Sequence, residues 1–334
     1  MRIRAELIET HLKETFRISK GESSSKKNCI VHLEDALGEC CPSIYYGYSA
    51  EDCFQVINES NIEIEEALEL SKLLDYFEET FSDRQSLLAG LDIVLYDYIS
   101  RKLGLRLYEY LGIPEPSNLD TSYTLSIDTP ENLEKRMKAA EGFKSVKLKI
   151  GSEYDKENLK ILHERTDFRI RVDANGAFTL DQIMELVPLF NDYNLELVEQ
   201  PLAESSASDL KMLRKEMKVP IFLDESIVEV QDIYKYVGAI DGINIKLQRV
   251  GGIRMALKMI QAAKSLGMKI MFGCMLETNI GNCATAQLGG FADFLDLDSS
   301  MLLKDDPFEG LSIDKGKILM PAGKGIGVRR RQNA

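Results

Sequence analysis

SVKLKI at residues 145–150, RIRVD at 169–173, LELVE at 195–199 and IFLD at 221–224 are short β-rich runs, each with a charged residue at its last or next-to-last position. They recur about every 25 residues, the length of one strand, one helix and two loops, and amphipathic segments separate them. Working outward, Ser122–Ser126 comes before them, and Gly242–Leu247, Lys269–Phe272 and Phe294–Leu297 follow. Eight strands alternating with helices read as a parallel (β/α) barrel of the α/β class rather than a solenoid. An open doubly wound sheet fits less well, because no GxGxxG follows a first strand and eight consecutive units exceed what most such sheets contain.

The text before Pro114 has a different grammar. Arg2–Glu9 and Asn28–Glu34 read as strands and Leu37–Ser49 as turn-rich, which predicts a small antiparallel sheet with a loop after it. Ser82 or Asp83 is placed to cap a helix carrying Leu87, Leu88, Leu91, Val94, Leu95, Tyr98 and Ile99 on one face, and Gly104 to end it. The expected organisation is an N-terminal α+β capping domain over 1–115, the barrel over 116–305, and a segment 306–334 that packs back on the cap.

The chain has 334 residues, 44% of them hydrophobic, enough for a large core. A net charge of -13 argues against a nucleic-acid partner, which would want clustered Lys and Arg. The one basic run, Arg329–Arg331, reads as a frayed tail. Met1–Thr10 lacks the apolar core of a signal peptide and no run reaches about 18 apolar residues, so a cytoplasmic protein with no membrane partner is expected. Six cysteines without CxxC or Cys/His ligand spacing read as reduced structural thiols.

In such a barrel the functional groups stand at the C-terminal ends of the strands. Read in order, those ends carry Lys147 and Lys149, then Asp173, Glu199, Asp224, Lys246, and finally Asp296 and Asp298. A single acid after a β-run is ordinarily a helix N-cap or a solvated turn. Three in consecutive units at matched positions converge on one point, where their repulsion calls for a cation. All-oxygen ligation by Asp173, Glu199 and Asp224 favours Mg²⁺ over zinc.

Lys149 and Lys246 arise four strands apart in an eight-strand ring, on opposite sides of that point. A carbon held between them could lose a proton to one and gain one from the other. Lysine is a poor base at its ordinary pKa, but Lys147 shares the rim face with Lys149 two residues away on the strand, and that neighbouring cation plus burial could lower a pKa toward about 7 to 8. A proton beside a carboxylate is so weakly acidic that the enediolate needs both substrate carboxylate oxygens on the metal.

These residues, with GECCPSIYYGYS, AGLDIVLYDYISRKLGLRLYEYLG, KLKI, RVDANGAF, VEQPL, FLDES and NIKLQRVGGI, resemble the enolase superfamily, specifically its muconate-lactonizing-enzyme subgroup, over nearly the whole chain. The resemblance implies a modified TIM barrel under an α+β cap. It makes Asp173, Glu199 and Asp224 the ligands of one Mg²⁺ per subunit, Lys149 and Lys246 the acid/base pair, and Lys147 a carboxylate contact. Asn175 and Glu225 would orient ligands and bound water.

The cap loops near Phe16–Ser25 and Cys41–Ser49 would touch the substrate. FLDLDSS resembles the DxD motif of dipeptide epimerases, so Asp296 and Asp298 would bind the α-ammonium of a dipeptide. GCMLETNIG also matches that group and puts Cys274, Met275 and Glu277 in the substrate pocket. Epimerases acting on Ala-Glu often carry an arginine in the first cap loop where this chain has Gly21; Lys20 could substitute, or the pocket prefers a smaller or apolar second residue.

The reading is an isomerase inverting the second residue of an L-Ala-L-Xaa-type dipeptide, a homo-oligomer with a small-molecule substrate. N-acylamino acid racemases, o-succinylbenzoate synthases and cycloisomerases of the subgroup share the lysines and ligands but call for no ammonium-binding acid pair. A non-catalytic descendant of the fold need not have kept all five of Lys149, Asp173, Glu199, Asp224 and Lys246.

Overall fold

The computed structural model of the chain describes residues 1–43, 47–64, 69–193, 195–203 and 206–332. The cap opens with an antiparallel sheet of β1 (Arg4–Ile18), β2 (Gly21–Leu33) and β3 (Ala36–Cys40), in that order. Its first two strands run well past the expected Glu9, as an arm that extends the hairpin to residues 18 and 21. β3 lies where turn chemistry was expected. Glycine hides it from a propensity reading, yet Gly38 is what allows the strand to press on a helix: a Cβ there would stand 2.1 Å from the Gly90 carbonyl oxygen.

That helix belongs to the cap's helical part, α1 (Ala50–Glu59), α2 (Leu70–Thr80) and α3 (Gln85–Leu103). The expected Ser82 or Asp83 cap is not used: the N-cap is Arg84, with no side-chain capping bond, while Gly104 ends the helix in the left-handed region at φ 76°. α3 is buried on nearly every side because it lies between β3 and the barrel.

The barrel is an eight-stranded parallel sheet. Its strands are β4 (Tyr123–Leu125), β5 (Ser145–Lys149), β6 (Arg169–Asp173), β7 (Leu197–Glu199), β8 (Ile221–Leu223), β9 (Gly242–Ile245), β10 (Lys269–Gly273) and β11 (Phe294–Asp296), in sequence order around the ring. The seam between β11 and β4 closes through Ser122 N–H donating to the Leu295 carbonyl at 3.3 Å. Arg171, buried inside, braces the same seam by donating to that carbonyl at 2.6 Å and to Glu196 at 2.5 Å. After β11 the chain makes only the four-residue helix Ser299–Leu302, so the last unit lacks a full helix and the TIM barrel is modified, as expected.

The C-terminal segment does not fray. Arg329–Arg330 pair with Phe308–Glu309 as antiparallel strands, Arg329 donates to Glu309 at 2.9 Å, and Arg330 reaches Glu6 on β1. Backbone pairing fixes these arginines, which charge alone could not show. Further along, Asp97 of α3 accepts the Ile326 N–H at 2.8 Å and Arg101 donates to the Val328 carbonyl at 2.7 Å. Among the described residues no helix is long and apolar enough to cross a membrane.

Cap and barrel are joined by buried acids at helix N-termini, where free N–H groups and the helix dipole receive a carboxylate. Asp92 of α3 accepts from Ile253 N at 2.6 Å and Arg254 N at 3.2 Å, at the start of helix Ile253–Ser265. Glu39 of β3 accepts from Thr278 N at 2.9 Å, Thr278 Oγ1 at 2.8 Å and Gly281 N at 3.0 Å, at the start of helix Asn279–Gln287. Burial still prevails over these donors and pushes Asp92 up to about 8 and Glu39 to about 7.

With folded-state values above the unfolded ones, the folded chain holds protons that the unfolded chain has released. Stability should therefore fall as pH rises from about 5 to 8. Asp92→Asn keeps an acceptor for Ile253 N but cannot ionise. Its unfolding temperature, followed across that range, should fall less steeply than the parent's; equal slopes would remove Asp92 as a source of the dependence.

Candidate functional site

β5, β6 and β7 end on Lys149, Asp173 and Glu199, and Asp224 and Lys246 directly follow β8 and β9, so all five charged residues reach the barrel mouth. Asp173, Glu199 and Asp224 are each 0% exposed, which no ionised carboxylate tolerates without compensation. Cations provide it. The Lys147 ammonium lies 2.9 Å from Asp173 Oδ2, 2.8 Å from Glu199 Oε2 and 2.7 Å from Asp296 Oδ2. Lys149 Nζ donates to Asp173 Oδ2 at 2.5 Å, Lys246 Nζ lies 2.8 Å from Asp224 Oδ2, and the Arg249 guanidinium contacts Asp224 Oδ1.

The electrostatics follow from this crowding. Burial alone would raise the Asp173 carboxyl, but Lys147, Lys149 and Lys246 together hold it well below the usual range. Burial would lower Lys147, yet Asp173, Asp296 and Glu199 keep it well above an ordinary lysine. The same contest goes the same way at Lys246, where burial and Lys147 lower the pKa and Glu199, Glu225 and Asp173 outweigh them. Among the protein's own groups, acids outnumber cations around Lys246, so this lysine is raised rather than brought toward neutrality.

The three acids suit a hard divalent cation. Both Asp224 oxygens and Glu199 Oε2 are buried without a directed hydrogen bond, although cations lie near them. All the donors are oxygen. Among the described residues no three His, Cys, Asp or Glu side chains yet stand close enough to grip an ion, because ammonium groups lie between the acids.

Asn175 N–H donates to Asp173 Oδ1 at 2.9 Å, and Asn175 Nδ2 to Glu225 Oε1 at 3.2 Å. Lys20, at the tip of the β1–β2 arm, lies 3.5 Å from the same Glu225 oxygen. A chain of contacts therefore runs from the cap to Asp173.

Above the acids lies a cavity of about 1030 Å³ lined by Lys147, Lys149, Lys246, Asp296, Asp298 and Arg249, with Asn175, Glu225, Cys274 and Met275 also in its wall. Asp296 accepts from Ser122 Oγ at 2.8 Å and, through Lys147, is held below its ordinary pKa against burial. Asp298 accepts the Thr124 N–H at 2.6 Å, but burial and the Asp296 charge push it up to about 7. A cation beside this pair would be welcomed by Asp298.

From the cap, Phe16, Ile18, Lys20 and Gly21 line the cavity. So do Cys41, Gly47, Tyr48 and Ser49 of the expected second loop, whose residues 44–46 lie outside the described residues.

Glu277 stands elsewhere. It is 0% exposed and forms no part of the cavity wall; its Oε1 accepts from Met275 N–H at 2.8 Å, and burial with the nearby Glu39 pushes it up to about 8. It underlies the loop that carries Cys274 and Met275. Two residues absent from the sequence reading also emerge, Arg249 against Asp224 and Asn244, which donates to Glu199 Oε1 at 2.7 Å. The signal for Asn244 was available: it stands two residues before Lys246 on a strand, so it shares Lys246's inward face.

A model of the enolase C-terminal domain-like family matches residues 131–334. An L-Ala-D/L-Glu epimerase of Bacteroides thetaiotaomicron is 30% identical over 329 residues, covering 96% of this chain and 86% of that protein. A hydrophobic dipeptide epimerase of a Flavobacteria bacterium is 32% identical, covering 95% of each. The crystal structure of a dipeptide epimerase from Cytophaga hutchinsonii, complexed with Mg and the dipeptide D-Ala-L-Val, superposes with a TM-score of 0.91 at 27% identity over 100% of this chain and 97% of that one.

An enolase-type barrel with acids and lysines at its strand ends is the class that fold and site define. The chain belongs to the enolase superfamily and, within it, to the family of the dipeptide epimerases.

Lys147 gives the site its stability test. Lys147→Met leaves buried carboxylates without their shared cation, and urea unfolding in the presence of a chelator should show a loss of about 3–5 kcal/mol. An unchanged midpoint would mean that Lys149 and Lys246 suffice to balance the acids.

Proposed function

We propose that the chain is an isomerase, a Mg²⁺-dependent dipeptide epimerase that inverts the α-carbon of the second residue of an L-Ala-L-Xaa-type dipeptide by proton transfer between two lysines. The observation that carries the proposal is the sharing of one cavity by Lys149, Lys246 and the Asp296–Asp298 pair, above the three buried acids. The relatives named as dipeptide epimerases, and the one complexed with Mg and a dipeptide, support it.

Asp173, Glu199 and Asp224 would hold one Mg²⁺ per subunit of a homo-oligomer. Bound there, the ion would acidify the α-proton by drawing charge from the substrate carboxylate, and would weaken the acids' grip on the lysines. The remaining work falls to this chain's side chains. Asp296 and Asp298 receive the α-ammonium of the first residue, which compensates the buried charge of Asp298.

That contact sets the α-carbon of the second residue between Lys149 at the end of β5 and Lys246 just after β9. A neutral lysine on one face takes the proton, the charged lysine on the other returns one, and configuration inverts. Each lysine serves one enantiomer. Lys147 stays charged among three carboxylates and serves as an electrostatic contact rather than a base.

The second side chain faces the cap arm, where Gly21 leaves room and Lys20 is engaged with Glu225. An acidic side chain must draw Lys20 from that partner, whereas a neutral one need not. Lys20→Ala should therefore lower kcat/KM for L-Ala-L-Glu about fivefold, the worth of about 1 kcal/mol for a partly exposed ion pair, and leave L-Ala-L-Leu nearly unchanged. A uniform loss would assign Lys20 to arm closure instead.

Incubation of L-Ala-L-Xaa dipeptides with enzyme and Mg²⁺ in D₂O should place deuterium on the second α-carbon. A panel that shows neither exchange nor inversion, while N-succinyl amino acids do, would sink the assignment. Lys149→Ala and Lys246→Ala should each abolish inversion; normal turnover in either removes that lysine from the mechanism.

A further inference from the structure

Glu199 is held differently on its two sides. Its Oε1 accepts the 2.7 Å hydrogen bond from Asn244 Nδ2, while its Oε2, without a directed bond, has the Lys147 ammonium 2.8 Å away. Glu199 and Asn244 are both 0% exposed. A carboxylate only accepts, so the NH₂ end of the Asn244 amide must face it. The other end of that amide, Oδ1, is buried with no partner.

A buried, half-satisfied amide costs stability, and a hydrocarbon side chain of the same size would serve a barrel core better. Its neighbour on β10 adds an independent observation. Gly273 stands against the amide, and a Cβ there would lie 2.8 Å from Asn244 Nδ2, 2.9 Å from its Oδ1 and 2.9 Å from Lys246 Cε. The strand beside β9 thus leaves open the space in which the amide and the Lys246 stem lie, at φ values that do not themselves require glycine.

We infer that Asn244 is a positioning residue for the ion-binding acids: it ties down Glu199 Oε1 so that Oε2 is turned toward the ion, and Gly273 keeps the amide in place. Being neutral, Asn244 does this without adding a charge that would repel a divalent cation, unlike the Arg249 guanidinium on Asp224. Lys246, two residues further along the chain, directly follows the same strand. The inference rests on the metal part of the proposed function and on no particular substrate.

The test is Mg²⁺ titration calorimetry on the full chain without dipeptide, paired with unfolding temperatures in Mg²⁺ and in chelator. Asn244→Leu keeps the volume and removes the donor. Its Kd for Mg²⁺ should rise about 10–100-fold, the usual effect of losing a group that orients a metal ligand, and the rise in unfolding temperature that Mg²⁺ brings should shrink with it. Gly273→Ala, which displaces the amide without removing it, should move both readings in the same direction.

A purely structural Asn244 would lower the unfolding temperature equally in Mg²⁺ and in chelator and leave Kd within about twofold of the parent; that result overturns the inference. If Asn244→Leu does not fold, Gly273→Ala is judged by the same criterion. A parent protein that fails to bind Mg²⁺ overturns the metal reading itself, an outcome distinct from parent and variants binding alike.

Discussion

Lys147 places one ammonium within 3 Å of carboxylates from three different strands, Asp173 on β6, Glu199 on β7 and Asp296 on β11, and it is itself only 1% exposed. Desolvating those charges separately would cost several kcal/mol each, so the mouth of the barrel folds only as a set. The set ties β5 both to its neighbours and across the seam to β11. Arg171 does the same one layer deeper, through the Leu295 carbonyl and Glu196. Beneath the charged mouth Leu197, Phe222 and Met271 pack with Phe294, and the Arg171 guanidinium lies over the Phe294 ring.

The cap is attached by the same economy of buried charge, with the partners changed. Asp92 and Glu39 meet helix N-termini of the barrel, and Asp97 meets backbone N–H groups of Leu37 and the C-terminal segment. Backbone donors stabilise a carboxylate less than an ammonium does, which is why Asp92 and Glu39 are pushed up while Asp173 is held down. Asp92 and Glu39 are therefore structural and titrate near neutrality, whereas Asp173 and Asp296, which touch the Lys147 ammonium, are held ionised. Glu277, close to Glu39 and behind the cavity wall, belongs with the structural group.

The sequence was legible where periodicity and position agreed. All eight barrel strands fall within about two residues of the runs that announced them, because each is a β-rich burst of a parallel sheet flanked by helical text. The strand-end acids and lysines were legible for the same reason: one register rule places every inward residue. β3 was not, since Gly38 weakens its strand signal and its reason lies in α3, more than fifty residues away. The pairing of Arg329–Arg330 was invisible for a similar reason, its partners being Glu309 and Glu6. The direction of the Lys246 shift depended on counting every acid around it, which no linear reading supplies.

Segment 244–250 shows how far the two domains depend on each other. Asn244 holds Glu199, Lys246 stands against Asp224, and Arg249 contacts Asp224 from the short helix that follows, Leu247–Val250. Between them Gln248 turns the other way: it accepts from Cys41 N–H and Ser86 Oγ at 2.7 Å each and donates to the Glu39 carbonyl at 2.8 Å, all three on the cap. One turn of chain thus carries a cavity lysine, a contact to a buried acid and the register of the cap. A shift of the cap relative to the barrel must be transmitted through Gln248 to the residues on either side of it, since packed cores move as units and do not deform freely. The site is therefore the joint property of both domains, and the cap that closes it also helps set the geometry of the groups beneath.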